Sequence, residues 1–318
     1  RLRPPERLTA GGTRRWFEHG EITLLVIIPL AAVVAAFLLL MQLTGPRDQL
    51  EFEDPHHQTR NLVTAKDYAV VSGTPWSKQV AIDVLEKGGN AVDAAVAAVL
   101  MLNVTFGEAA SFPGVAPVMF YDARRNQVRS YIGAGSAPKK ATIELFRGRG
   151  HDKVPDLNIL AQLLPASPDV MVRLLQDHGT LSFSELVKPA IERARSGFPV
   201  HHTMAKNLDL TLAERLGFRS LLPTSSEVYF GKRWWLPLRQ NDHFRRPALA
   251  DTLEALALAE HEALQAGATR REALEAVRTF FYEGPIARQI DVFHAQEDGL
   301  ISYEDLASYQ GGWEEPLA

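Results

Sequence analysis

The longest uninterrupted apolar stretch runs from Ile22 to Thr44, 23 residues without a charge. At ~1.5 Å rise per residue, a helix of that length reaches across a ~30 Å hydrocarbon core. It is long for the apolar part of a cleavable signal and lacks a small-x-small cleavage site before Arg47, so it predicts a retained transmembrane anchor. Pro29 marks a place for a kink against which a neighbouring membrane helix could pack, which would make integral membrane proteins partners of the 22–44 helix. Arg1, Arg3, Arg7, Arg14 and Arg15 precede the run, whereas Asp48, Glu51, Glu53 and Asp54 follow it. That asymmetry predicts a single-pass protein with a cytoplasmic N-terminus (residues 1–21) and a periplasmic or extracellular main domain. Residues 45–61 are polar and aperiodic, which reads as a tether, and His56 with His57 inside it is too small a set for a metal site.

From residue 62 onward the pattern is that of one globular domain, 62–318. Tyr68 to Ser72 reads as a short strand, and a helix opens at Ser77 with Val80, Val84 and Leu85 on one face. Gly88 and Gly89 stop that helix. Asn90 caps the next, with Asp93 three residues on as its capping-box partner. Ala94 to Leu102 is apolar all round, which predicts a helix buried on all sides. Val115 to Tyr121 and Val128 to Ile132 read as a hairpin around the turn residues Asp122 to Asn126. Helical periodicity then covers Pro168 to Gly179, Ser182 to Ser196, Thr203 to Leu216, Ala248 to Gln265, Thr269 to Gln296 and Ser302 to Tyr309. Early strands followed by many helices give a layered α/β (α+β) fold without internal repeats.

Composition narrows the chemistry by exclusion. The chain of 318 residues has 46% hydrophobic positions, enough for a sizeable core. The balance of 34 basic against 38 acidic residues gives no footprint for nucleic acid. With no cysteine, disulfides, thiolate metal sites and a cysteine nucleophile are excluded. His201-His202 has no third ligand in sequence and reads as the start of a surface helix. Trp234-Trp235, flanked by Lys232, Arg233 and Arg239, is a candidate partner patch or, more simply, loop packing. No cofactor is implied.

Lys87-Gly-Gly-Asn-Ala-Val-Asp-Ala-Ala-Val-Ala97 resembles the early signature of the γ-glutamyltransferases (γ-glutamyltranspeptidases, glutathione hydrolases). Further blocks follow in the family's order: Gly179 to Leu181 with Pro189-Ala-Ile191 and Gly197-Phe-Pro-Val200, then Pro247 to Leu253, Phe281 to Ala287, and Gly299 to Tyr309 with Trp313 to Pro316. The resemblance covers the family's large subunit. It implies half of an N-terminal-nucleophile hydrolase αββα sandwich, preceded here by one transmembrane helix. In that family a self-cleaved small subunit brings an N-terminal threonine, whose own α-amine serves as its base. The resemblance therefore implies a small-subunit-like partner chain and places no catalytic residue in this one. Thr59, Thr64, Thr105 and Thr180 read as caps, strand or surface residues.

Three departures concern substrate recognition. The resemblance places the arginine that pairs with the substrate α-carboxylate in the frame Ile132-Gly-Ala-Gly-Ser-Ala-Pro138, where Ala134 stands in its place. An alanine has no fork with which to hold a carboxylate, and Lys139 and Lys140 are weak compensators as point charges. The family's glycine-rich run before the hairpin is replaced by Ala110-Ser-Phe-Pro-Gly-Val-Ala-Pro117, and its Val-Pro-Gly by Leu164-Pro165-Ala166. Scaffold blocks, including Gly88, Gly89, Asn90 and Asp93, persist while substrate-side blocks do not. The expectation is a non-catalytic, membrane-anchored scaffold or accessory subunit of a membrane complex. The alternative is the large-subunit half of an active glutathione hydrolase or related acylase whose nucleophile lies on another chain.

Overall fold

The computed structural model describes residues 64–155 and 158–316. These divide into two compact units, one made of Leu208–Arg239 and the other of the described residues on either side of it.

The larger unit begins with α1 (Pro75–Glu86) and α2 (Ala91–Thr105), each opened by a capping box. Thr74 and Ser77 cap α1 reciprocally; in α2 the Asn90 side chain accepts from the Val92 and Asp93 amides while Asp93 accepts from the Asn90 amide. Gly88 and Gly89 close α1 through hydrogen bonds to Leu85 and Val84 carbonyls, as the sequence predicts. Ala97, Leu100, Met101 and Val104 of α2 lie in the core. Its enclosure is less complete than the apolar pattern predicts: Ala95 is exposed and Ala98, Val99 and Leu102 are half-covered. A helix of small residues accepts close neighbours on several sides, but no element among the described residues buries this stripe fully.

The hairpin forms as β1 (Val118–Asp122) and β2 (Gln127–Ile132), antiparallel, with Tyr121 opposite Val128. The chain continues through α3 (Ile143–Gly148), α4 (Ser167–Asp177), α5 (Phe183–Ser196), β3 (Phe198–Pro199) and α6 (His202–Asn207). The smaller unit contains α7 (Leu212–Leu221) and α8 (Pro223–Phe230). Within it, Phe218 meets Phe230 edge to face, and the buried Arg215 guanidinium donates to the Trp235 carbonyl at 3.1 Å. The larger unit resumes with β4 (His243–Phe244), which pairs β3, then α9 (Pro247–Gln265), α10 (Arg270–Tyr282), α11 (Pro285–Gln296), α12 (Tyr303–Ala307) and β5 (Gly312–Glu314).

α1 packs on α2, α2 on α5, α5 on α9, α9 on α10 and α10 on α4, a continuous helical body. β5 pairs with the free edge of β2, so the sheet order is β1-β2-β5. Its inner face is aromatic: the Trp313 ring lies 5.0 Å from Tyr131 and 5.3 Å from His178, and Phe120 lies 4.8 Å from His178. Its outer face presents Met119, Tyr121, Val128 and Ile132 to solvent, the first two at 68% and 59% exposure.

The layered α/β reading holds in outline, with four corrections. Tyr68 to Ser72 forms no strand; apolar alternation needs a neighbouring edge to become a ladder, and this segment is outside both sheets. Thr203 to Leu216 is two helices, because Thr211 opens a new capping box with Glu214. The single helix expected over Thr269 to Gln296 breaks at Gly284-Pro285, since Pro285 supplies no amide and suits a first turn. The fourth concerns the membrane. Among the described residues no helix is long and apolar enough to cross one, so the expected single-pass protein with its main domain outside, and the membrane partners inferred from it, are withdrawn. The 22–44 run, the tether and His56-His57 lie outside the described residues.

Candidate functional site

Three backbone runs meet beyond the end of β2: the 110–117 segment, the 133–138 loop and the 163–167 segment. The Ala116 amide donates to the Gly133 carbonyl at 2.7 Å, and the Leu164 amide to the Ser136 carbonyl at 2.8 Å. The Gly114 carbonyl accepts from the Ala166 and Ser167 amides at 3.3 and 2.9 Å. Glycine is required twice. A Cβ on Gly133 would sit 2.1 Å from the Ala116 oxygen, and Gly135 combines φ of +75° with a Leu164 oxygen 2.2 Å from any Cβ. The frame therefore depends on main-chain contact that side chains at these two positions would prevent.

Ala134 stands exposed between these glycines. Val115, Ile132 and Leu163 are exposed in or beside these runs, as are Ser111 and Ser136, and none of the three runs carries a charged residue. The two candidate compensators divide. Lys139 is drawn toward α12: its amide donates to Asp305 Oδ1 at 3.2 Å and its ammonium to Ser308 Oγ at 3.2 Å. Lys140 is simply exposed.

Beneath the rim lies a buried polar cluster that sequence reasoning missed. Asp169, in the first turn of α4, accepts from the Tyr131 hydroxyl at 2.6 Å, Arg278 Nε at 2.6 Å and the Gly311 amide at 3.1 Å. The Arg278 guanidinium also donates to the Tyr309 carbonyl, and the Tyr282 hydroxyl donates to the Pro165 carbonyl at 2.7 Å. One carboxylate thus ties β2, α4, α10 and the approach to β5. Burial, then its hydrogen bond to Asp169, pushes the Tyr131 phenol well above its ordinary value, so it remains a donor. One sequence signal was available: Arg278 sits among Leu274, Val277 and Phe281 on the buried face of α10, where an arginine needs a partner.

Other sequence candidates resolve locally. The Thr105 hydroxyl donates to the Met101 carbonyl and that of Thr180 to Asp93. Asp93 further accepts from the Thr180 and Leu181 amides, so the signature block fastens the start of α2 to the loop before α5. His201 is half-buried and bound to backbone rather than to other ligands, and no group of three metal-ligating side chains occurs among the described residues. In the smaller unit Trp234 and Trp235 meet edge to face at 6.3 Å, with Arg219 over Trp234 and Trp235 47% exposed.

The class is given by likeness to solved structures: this helix-rich α/β body corresponds to part of an N-terminal-nucleophile hydrolase fold. Within that class, the γ-glutamyltranspeptidase family model matches residues 77–318, and the chain belongs to this family. The glutathione hydrolase proenzyme of Escherichia coli K12 is 31% identical over 271 residues, covering 84% of this chain and 42% of the relative. The chain thus spans about two-fifths of the curated relatives it matches, the large-subunit portion. Among solved structures, the Helicobacter pylori γ-glutamyltranspeptidase superposes with a TM-score of 0.67 at 27% identity, over 81% of this chain and 68% of that one. A cephalosporin acylase from Bacillus halodurans gives 0.68 at 26% identity, over 85% of this chain and 47% of that one.

Proposed function

We propose that this chain is the large-subunit-like half of a two-part γ-glutamyltranspeptidase-type protein, and that a small-subunit-like chain covers the outer sheet face. We further propose that the assembly does not turn over γ-glutamyl amides and serves a binding role instead. The observation that carries the first statement is the outer face of β1 and β2, where Met119, Tyr121, Val128 and Ile132 stand together in solvent. Tyr121 faces Val128 across the ladder, and with Met119 and Ile132 on the same face they make a surface suited to burial. The relatives' printed description as proenzymes, of which this chain matches 42%, supports a second part that completes the fold.

Ala134 supports the second statement. At the position to which the resemblance assigns the α-carboxylate arginine, the structure has an exposed alanine on an uncharged rim, and the Lys139 ammonium is engaged with Ser308. A γ-glutamyl group bound there keeps an unpaired carboxylate. The second reading, an acylase acting on an amide without that carboxylate, is favoured by the likeness to the cephalosporin acylase over 85% of the chain.

Replacing Met119 and Tyr121 together by Glu should abolish co-purification with a small-subunit-like chain while leaving the melting temperature within a few degrees, because both side chains are already in water. Undiminished co-purification would remove the sheet face from the account. The purified assembly should release no p-nitroaniline from its γ-glutamyl derivative. Release from a neutral acyl anilide, blocked by a threonine-directed inhibitor, would establish the acylase reading instead.

A further inference from the structure

The turn that leads from α2 into the 110–117 segment carries a carboxylate the site does not use. The Glu108 side chain is 3% exposed, and neither of its oxygens accepts a hydrogen bond. Two charged or titratable groups lie beside it. His201 Nε2 lies 3.9 Å from Glu108 Oε1. The Arg246 guanidinium lies against Gly107, where a Cβ would meet its Nη1 at 2.1 Å, and donates to the Asn103 carbonyl. Asn103 itself donates through Nδ2 to the Ala110 carbonyl at 2.7 Å, while its Oδ1 is buried without a partner.

The Met204 amide lies 3.2 Å from His201 Nδ1, and His201 Nε2 lies 2.9 Å from the Thr105 carbonyl. His201 and Arg246 are the charged or titratable groups that act on it, and burial outweighs both together with the favourable pull of Glu108's own amide, pushing the carboxyl above its ordinary range.

We propose that Glu108 is a proton-dependent latch on the 106–117 segment: protonated, it remains in this pocket and holds the segment against residues 133 and 166–167; ionised, it leaves for water and loosens that wall. The connection is short. The Ala109 and Ala110 amides bond back to the Phe106 carbonyl on either side of Glu108's turn, and four and six residues later Gly114 and Ala116 make the contacts that build the rim. The direction follows from linkage. A carboxyl that releases its proton at higher pH in the folded state than in the unfolded one contributes stability fully at low pH and loses it as pH rises through the folded value.

Hydrogen–deuterium exchange on the full chain, at about pH 5 and about pH 8 and corrected for intrinsic exchange, reads the latch at the amides of Ala110, Ala116, Ala166 and Ser167. Protection of these four should fall roughly tenfold or more from the lower to the higher pH, with α9 unchanged. Glu108→Gln should hold them equally protected at both pH values, and His201→Gln should leave the pH dependence in place. Equal protection of the wild type at both pH values overturns the proposal. So does a pH dependence that survives Glu108→Gln or vanishes with His201→Gln. The wild-type comparison needs no variant, so a substitution that fails to fold leaves the test intact.

Discussion

Asp169→Ala should destabilise the fold by about 3–5 kcal/mol, the cost of leaving one partner of a buried ion pair without the other. The Asp169 and Arg278 side chains are 1% and 5% exposed, so water cannot compensate the guanidinium. The substitution also strands the Tyr131 hydroxyl and the Gly311 amide, both of which donate to the same carboxylate. The α4 start then loses its ties to β2 and to the chain entering β5. Urea denaturation monitored by tryptophan fluorescence checks this, one of the reporting rings, Trp313, standing 5.0 Å from Tyr131. In a double-mutant cycle, Arg278→Met should recover a large part of the loss, because removing both charges leaves neither uncompensated. A loss under about 1 kcal/mol for the single variant would mean that the pair is hydrated in solution.

Asp93→Ala should cost about 3 kcal/mol through a different route. Its carboxylate is fully buried and accepts four hydrogen bonds, from the amides of Asn90, Thr180 and Leu181 and from the Thr180 hydroxyl. Two of the amide donors belong to the loop between α4 and α5, far away in sequence. Asp93→Asn keeps the shape but turns one acceptor into a donor, so about half of that loss is expected. Gly179, one residue before Thr180, is structural as well: a Cβ there would meet Asp93 Oδ1 at 2.9 Å and the Leu175 side chain at 2.7 Å. Thermal melting of both variants measures the pair of values. Equal and small effects would show that the signature block is held by something other than this carboxylate.

These two carboxylates mark how far the amino-acid sequence could be read. Asp93 was legible as a local cap because its partner Asn90 is three residues away, and helix starts are written in short spacings. Its longer reach to Thr180 and Leu181 was not, since nothing in the spacing of 93 and 180 says that they meet. Asp169 was wholly missed, although Arg278 on an apolar helix face was a warning that an acidic partner existed somewhere. The hairpin was legible from β-branched and aromatic runs around polar turn residues, whereas β5 has only three residues and depends on the edge of β2 for its existence. Helix breaks at Thr211 and Gly284-Pro285 carried capping and proline signals that periodicity alone overrode. At the rim, the frame of Gly133 with Pro138 pointed to the candidate site, and the structure adds why Gly133 and Gly135 are needed there.

The most direct test of the two-part account is to isolate the protein from its own source without denaturation and determine which chains travel with it, by native mass spectrometry and N-terminal sequencing. The account predicts one small-subunit-like chain per copy, with Met119 and Tyr121 protected from surface labelling in the complex and labelled after dissociation. A chain that is isolated alone, with both residues labelled from the start, would contradict it.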